Sequence, residues 1–161
     1  MDLNDFLQEI SFLSQRKDED SGIILEISPD KLKEEFRRMI LQEIARQGLI
    51  DSALFKCGLY VADLLSKLVK DNPESWFATD YLNKEVSGED LRRAANICFL
   101  LSFIFQERAK IRCMQLKDYQ EMGAGMYYMF YSSTGREIGF YMSRNFKTIA
   151  DITLHSFQSL K

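Results

Sequence analysis

The side chains that could perform acid–base, nucleophilic or metal chemistry are few in this chain of 161 residues. His155 is the only histidine, so zinc sites with several imidazoles and di-iron sites with paired Glu-x-x-His motifs cannot form within one chain. Cys57, Cys98 and Cys113 form no C-x-x-C pair, and no G-x-S-x-G motif accompanies the histidine. We therefore assign no catalytic residue, predict no metal and no cofactor, and favour a non-enzymatic function over an enzyme with an unrecognised site.

Charge is distributed unevenly along the chain, although the net value is only −3. Residues 1–35 carry ten acids and four bases, a net charge of −6, which leaves +3 for the remainder. The basic excess is densest across residues 92–117, where six lysines and arginines accompany a single acid. Such a segment could contact phosphates, but no helix-turn-helix pattern or aromatic RNA-binding motif accompanies it. Nucleic acid is therefore the least favoured partner.

The C-terminal third is rich in aromatic rings, methionine and glycine. Two short segments hold six rings: Tyr127, Tyr128, Phe130, Tyr131, Phe140 and Tyr141. These rings point to both sides of their segments, so one side can cover the core while the other side is left for a partner. Tyrosine, methionine and arginine are enriched at the centres of protein interfaces. The predicted binding residues are Tyr127, Tyr128, Tyr131 and Tyr141, with Arg136 and Arg144 as the polar rim.

These residues support two hypotheses about function. The first is a protein-interaction or regulatory module whose aromatic surface binds another protein or a second copy of the chain in a homodimer. The second is a sensor domain that binds a small apolar ligand in a pocket lined by aromatic and methionine side chains. An enclosed cavity among those side chains would favour the sensor, and a filled core with exposed rings would favour the interaction module.

Composition and helix-start signals predict a mainly α fold. The chain has eight glycines and two prolines, fewer than an all-β sandwich or barrel needs for its turns. Ser28 followed by Pro29 predicts one helix start, and Asp51 predicts another, because serine and aspartate cap free amides and proline suits the first helical position. Ser87 and Asp90 have the spacing of a capping box and predict a third start.

The apolar pattern predicts how these helices assemble. Apolar residues from Leu3 to Leu13 recur at three- and four-residue spacing and predict an N-terminal helix, followed by an acidic loop near residues 16–22. From Ile97 to Phe105 the apolar residues cover the whole circumference of a helix, and only a helix surrounded by others buries such a surface. We predict one domain over residues 1–161, a bundle of about five or six helices.

Residues 126–142 fit two templates. We favour a pair of helices, and a β-hairpin packed on the bundle is the alternative. Gly123 and Gly125 would each cost a helix about 1 kcal/mol relative to alanine, unless another helix crosses closely there. Both templates predict a terminal helix from Ser143 onward.

Cysteine use and hydropathy predict a cytoplasmic protein without a membrane span. The three widely separated cysteines are typical of thiols in a reducing compartment. The chain starts with acidic residues where a signal peptide would be basic. The longest apolar stretch, residues 97–105, is about half as long as the ~20 residues that a membrane-spanning helix needs.

Overall fold

The structure, a computed structural model, describes residues 29–83, 85–106 and 115–158. These residues form a bundle of six α-helices. The helices are α1 (Pro29–Arg46), α2 (Ser52–Lys70), α3 (Gly88–Phe99), α4 (Leu116–Thr134), α5 (Glu137–Arg144) and α6 (Phe146–Gln158). A short 3₁₀-helix, Ala78–Tyr81, precedes α3, and a π-helical turn, Leu100–Ile104, follows it.

The mainly α bundle predicted from the sequence is confirmed. The helical pair predicted across residues 126–142 is present as α4 and α5, and no strand occurs in the described residues, so the alternative β-hairpin is wrong. None of the helices in the described ranges is long and apolar enough to cross a membrane. The predicted N-terminal helix, the acidic loop near residues 16–22 and Cys113 lie outside the described residues.

Two of the predicted helix starts show the side-chain caps that define them, and Ser28, the predicted cap of the other, lies outside the described residues. α1 begins at Pro29, as expected for proline at the first helical position. The Asp51 carboxylate accepts a hydrogen bond from the Ala53 amide at 2.8 Å and caps α2. At α3 the Ser87 hydroxyl accepts from the Asp90 amide at 3.1 Å, and the Asp90 carboxylate accepts from the Ser87 amide at 3.0 Å.

The centre of the bundle is α3 with its π-helical extension. α3 packs along α4, and the π-helical turn contacts both α4 and α6. Leu100, Leu101 and Phe105 are buried, as the apolar run predicted. Ser102 interrupts that run, and its buried hydroxyl donates a hydrogen bond to the Cys98 carbonyl at 2.6 Å. The π-helical geometry, in which the Phe105 amide donates to the Leu100 carbonyl at 2.7 Å, was not predicted.

The aromatic C-terminal third is arranged by a tight connection between α4 and α5. Gly135 ends α4 with a φ of 72°, in the left-handed region that glycine adopts without steric cost. α5 then lies so close to α4 that a Cβ atom at Gly139 would be 2.6 Å from the Tyr127 carbonyl oxygen. Asn145 separates α5 from α6, so the terminal helix begins later than predicted.

Candidate interaction surface

Four rings from α4 and α5 form a row of tilted contacts on the surface of the bundle. The distance between ring centroids is 6.1 Å from Tyr128 to Tyr131, 5.4 Å from Tyr131 to Phe140, and 6.0 Å from Phe140 to Tyr141. Tyr128 and Tyr131 are three residues apart and share one face of α4, and the packing of α5 on α4 adds the other two rings. We call these four residues the aromatic strip.

The aromatic strip is accessible to a partner. Tyr128 is 50% exposed and the neighbouring Met129 is 54% exposed, which makes them two of the most exposed large apolar side chains in the described residues. Tyr131, Phe140 and Tyr141 are half-buried. Each ring is held against the next one, so the strip loses little side-chain freedom when a partner covers it.

Three cations lie over rings in and beside the strip. The Arg144 guanidinium carbon is 5.4 Å from the Phe140 centroid, and the Lys56 ammonium nitrogen is 5.1 Å from the Tyr141 centroid. The Arg136 guanidinium carbon is 5.5 Å from the centroid of the buried Phe130 ring.

Acids offset this positive charge only in part. Within the described residues, none of the three cations has a carboxylate oxygen within 4.0 Å. Arg136 is nevertheless near enough to Glu89 to help lower the pKa of that carboxyl, which is lowered mainly by its hydrogen bond with Arg92. Glu137 brings negative charge to the strip, where it accepts a hydrogen bond from the Tyr141 hydroxyl at 3.3 Å. The strip therefore has a positive border.

The structure divides the predicted binding residues into two groups. Four of them belong to the strip or contact it: Tyr128, Tyr131, Tyr141 and Arg144. Arg136 is exposed and lies over the neighbouring Phe130. Tyr127 is 1% exposed and lies in the core, apart from that group. It packs against Phe146, with 6.0 Å between the ring centroids. Helical periodicity could have separated Tyr127 from the exposed tyrosines, because Tyr127 is four residues from Gly123 and lies on the same buried face of α4.

Tyr127 belongs to a buried polar network that the sequence did not reveal. The hydroxyls of Tyr127 and Tyr60 each donate a hydrogen bond to the Asn96 side-chain oxygen, both at 2.6 Å. The two rings meet edge to face, with 6.0 Å between centroids. Burial raises the pKa of both phenols, and that of Tyr127 is well above its usual range. The network joins α2, α3 and α4 through residues that are distant in sequence.

The residues with potential for chemistry are not brought together. His155 is exposed on α6, where its Nδ1 lies 2.8 Å from the Asp151 carbonyl oxygen. Cys57 and Cys98 are free and buried. In the described part of the chain, no group of three or more histidine, cysteine, aspartate or glutamate side chains is placed to hold a metal ion.

The three described cations of the basic segment 92–117 each lie near a carboxylate one helical turn away. Arg92 pairs with Glu89, and Arg93 lies 3.9 Å from the Asp90 carboxylate. Lys117 is 3.8 Å from Glu121. The other three cations of the segment lie outside the described residues. Intrahelical pairing is typical of a solvated helix face and gives no support to phosphate binding.

A comparison of this chain with family models, curated proteins and solved structures finds no match.

Proposed function

We propose that this protein is a non-enzymatic interaction module whose aromatic strip binds a partner protein that combines apolar and acidic side chains. The observation that carries the proposal is the continuous row of four partly exposed rings bordered by cations. Scattered exposed apolar residues are ordinary on protein surfaces, but a contiguous row of them is typical of a binding site.

The composition of the strip supports a protein partner. Tyrosine, methionine and arginine are the residue types that interface centres favour, and the strip with its neighbours Met129 and Arg144 consists largely of them. Tyr128 is exposed and Tyr131 is half-buried, and each tyrosine can bond to a partner's backbone through its hydroxyl while its ring buries apolar area.

The charge of the border supports an acidic partner over a second copy of the chain. In a symmetric dimer the same patch meets itself, so the cations around one strip would face the cations around the other. A partner with glutamate or aspartate beside its apolar side chains would instead pair with Lys56 and Arg144 while it covers the rings. We therefore place the homodimer second.

The proposal can be tested with two synthetic helical peptides. The first carries leucine and phenylalanine on one face and glutamate on the other, and the second has lysine in place of every glutamate. We expect the acidic peptide to bind in a fluorescence anisotropy titration, with an affinity that falls as salt is raised. Tyr128→Ser and Arg144→Glu should each weaken binding about tenfold or more, the loss expected for residues at an interface centre.

Matched controls separate the strip from general surface properties. Phe77 is 54% exposed, close to the 50% of Tyr128, so Phe77→Ser removes a comparable exposed ring elsewhere and should leave the affinity unchanged. Lys70→Glu is the charge control for Arg144→Glu. Equal binding of both peptides, or equal binding by Tyr128→Ser and Phe77→Ser, would overturn the proposal. A wild-type dimer in sedimentation equilibrium that Tyr128→Ser converts to a folded monomer would assign the strip to self-association instead.

A further inference from the structure

A second candidate site is a groove between α2 and α3, separate from the aromatic strip. Its volume is about 390 Å³, within the range of small-molecule sites. Its apolar lining is mostly aliphatic: Leu64 and Leu68 from α2, Ile97 from α3 and Leu100 from the π-helical turn, with Pro73 and Tyr81 beside them. No residue of the C-terminal third, where a sensor pocket was expected, lines the groove, so it is a site that the sequence did not indicate.

Asn96 gives the groove a fixed polar group. It lines the groove, and its residue is 8% exposed. Its side-chain oxygen accepts from the Tyr60 and Tyr127 hydroxyls at 2.6 Å, a length typical of O–H···O hydrogen bonds and short for N–H···O. These two bonds orient the amide and leave its Nδ2 group without a hydrogen-bond partner among the described residues. Nδ2 is not sealed from solvent, and Asn96 lines the groove, so the amide can donate to a molecule bound there.

A cation stands beside this donor. Arg93 lies one helical turn before Asn96 and lines the same groove. Its guanidinium is only loosely held, 3.9 Å from the Asp90 carboxylate, and its side chain is 50% exposed. Two basic residues, Lys67 and Lys70, and two acidic residues, Asp71 and Glu74, also line the groove. Lys67 is already bound to Asp63 at 3.0 Å.

We propose that this groove binds a small molecule with an apolar chain and one carboxylate. The Asn96 Nδ2 group and the Arg93 guanidinium donate to the carboxylate from the same face of α3. The chain lies along the aliphatic wall. An amide donor and a guanidinium one turn apart match an anionic acceptor, and a neutral or cationic head would leave both donors without a charged partner.

The test uses decanoate as the probe, with decanol and decylamine as head-group controls. Titrations followed by calorimetry, and by NMR of labelled leucine and isoleucine methyl groups, should show decanoate binding with shifts confined to the groove. Decanol should bind more weakly than decanoate by about tenfold or more, which is the difference expected when hydrogen bonds to a charged group are lost. Decylamine binding as tightly as decanoate would overturn the proposal, because it would require an acceptor rather than a donor in the groove.

Three variants locate the binding. Asn96→Asp keeps an oxygen for both tyrosine hydroxyls but replaces the donor with a negative charge, and Arg93→Gln removes the cation. Leu64→Trp fills the groove from its half-buried edge. Each should weaken decanoate binding about tenfold or more, whereas Arg38→Gln, an exposed arginine on α1, should have no effect.

Folding is checked for every variant by circular dichroism and thermal unfolding. If Asn96→Asp does not fold, Arg93→Gln and Leu64→Trp decide the question. Unchanged decanoate affinity in these two variants, or no binding by the wild type, would overturn the site. The groove and the aromatic strip share no residue, so either proposal can fail without the other.

Discussion

Alanine at Gly123 and alanine at Gly125 should change the stability of the protein in opposite directions, although both glycines lie within α4. Neither residue has a positive φ, so alanine is compatible with the backbone at both positions. At Gly125 a Cβ atom would have no neighbour within 4 Å. At Gly123 it would lie 2.8 Å from the Cys98 Cβ and 2.7 Å from the Phe146 Cζ. The two substitutions therefore share their helix-propensity gain and differ in packing.

The magnitudes follow from these contacts. Alanine is favoured over glycine in a helix interior by about 1 kcal/mol, so Gly125→Ala should stabilise the protein by about 0.5–1 kcal/mol. Overpacking a core costs about 1–3 kcal/mol, and the upper part of that range applies at Gly123 because the Cys98 Cβ is fixed to the backbone of α3. After the propensity gain is subtracted, Gly123→Ala should destabilise by about 1–2 kcal/mol. The variants should differ by about 5–10 °C in Tm for a chain of this size.

Urea unfolding followed by circular dichroism, together with thermal scans, measures the difference. A double variant isolates its cause, because Phe146→Leu withdraws the ring atoms that the new methyl group meets. Combined with Gly123→Ala, it should lose less stability than the sum of the two single losses, by about 0.5 kcal/mol or more. Equal stabilities for Gly123→Ala and Gly125→Ala would refute the close approach of α3 and α4, and additive losses would refute the role of the ring.

Two further predictions concern ionisable groups in the core. Burial raises the pKa of the Cys57 and Cys98 thiols to about 12, so iodoacetamide at pH 8 should label neither in the native protein and both in denaturant, as read by peptide mass mapping. The Arg46 guanidinium donates to Glu43 at 2.9 Å and holds the pKa of that carboxyl at about 2, below its ordinary 4.5. The stability that Glu43 adds over Glu43→Gln should thus be complete above pH 4.5 and disappear as pH falls toward 2, measured by urea unfolding; a pH-independent difference would contradict it.

The parts of the fold that the sequence predicted depend on local signals. Asp51 and the pair Ser87 and Asp90 cap helices through bonds that span two or three residues, so their spacing alone predicts them. The buried centre at Leu101 follows from an apolar run that no exposed helix could carry.

Other features depend on residues distant in sequence, and local patterns could not predict them. Gly123 counted against a helix because glycine lowers local helix propensity. The glycine is needed because α3 passes so close that a Cβ atom there would meet Cys98. Gly125 has no such neighbour, and nothing in the structure explains it. Tyr127 was grouped with the exposed rings, yet the Asn96 oxygen that holds it lies 31 residues earlier. The π-helical turn was likewise not predicted by any local sequence pattern.

Asn96 shows why the division of rings between core and surface has functional consequences. Its oxygen accepts a hydrogen bond from Tyr127 inside the bundle, while the next residue of α4, Tyr128, lies at the surface. Helical geometry accounts for this division, because adjacent residues on a helix point about 100° apart. Asn96 also lines the groove between α2 and α3. One buried side chain therefore bonds to the core tyrosine of α4 and, in our proposal, supplies the donor of the second candidate site.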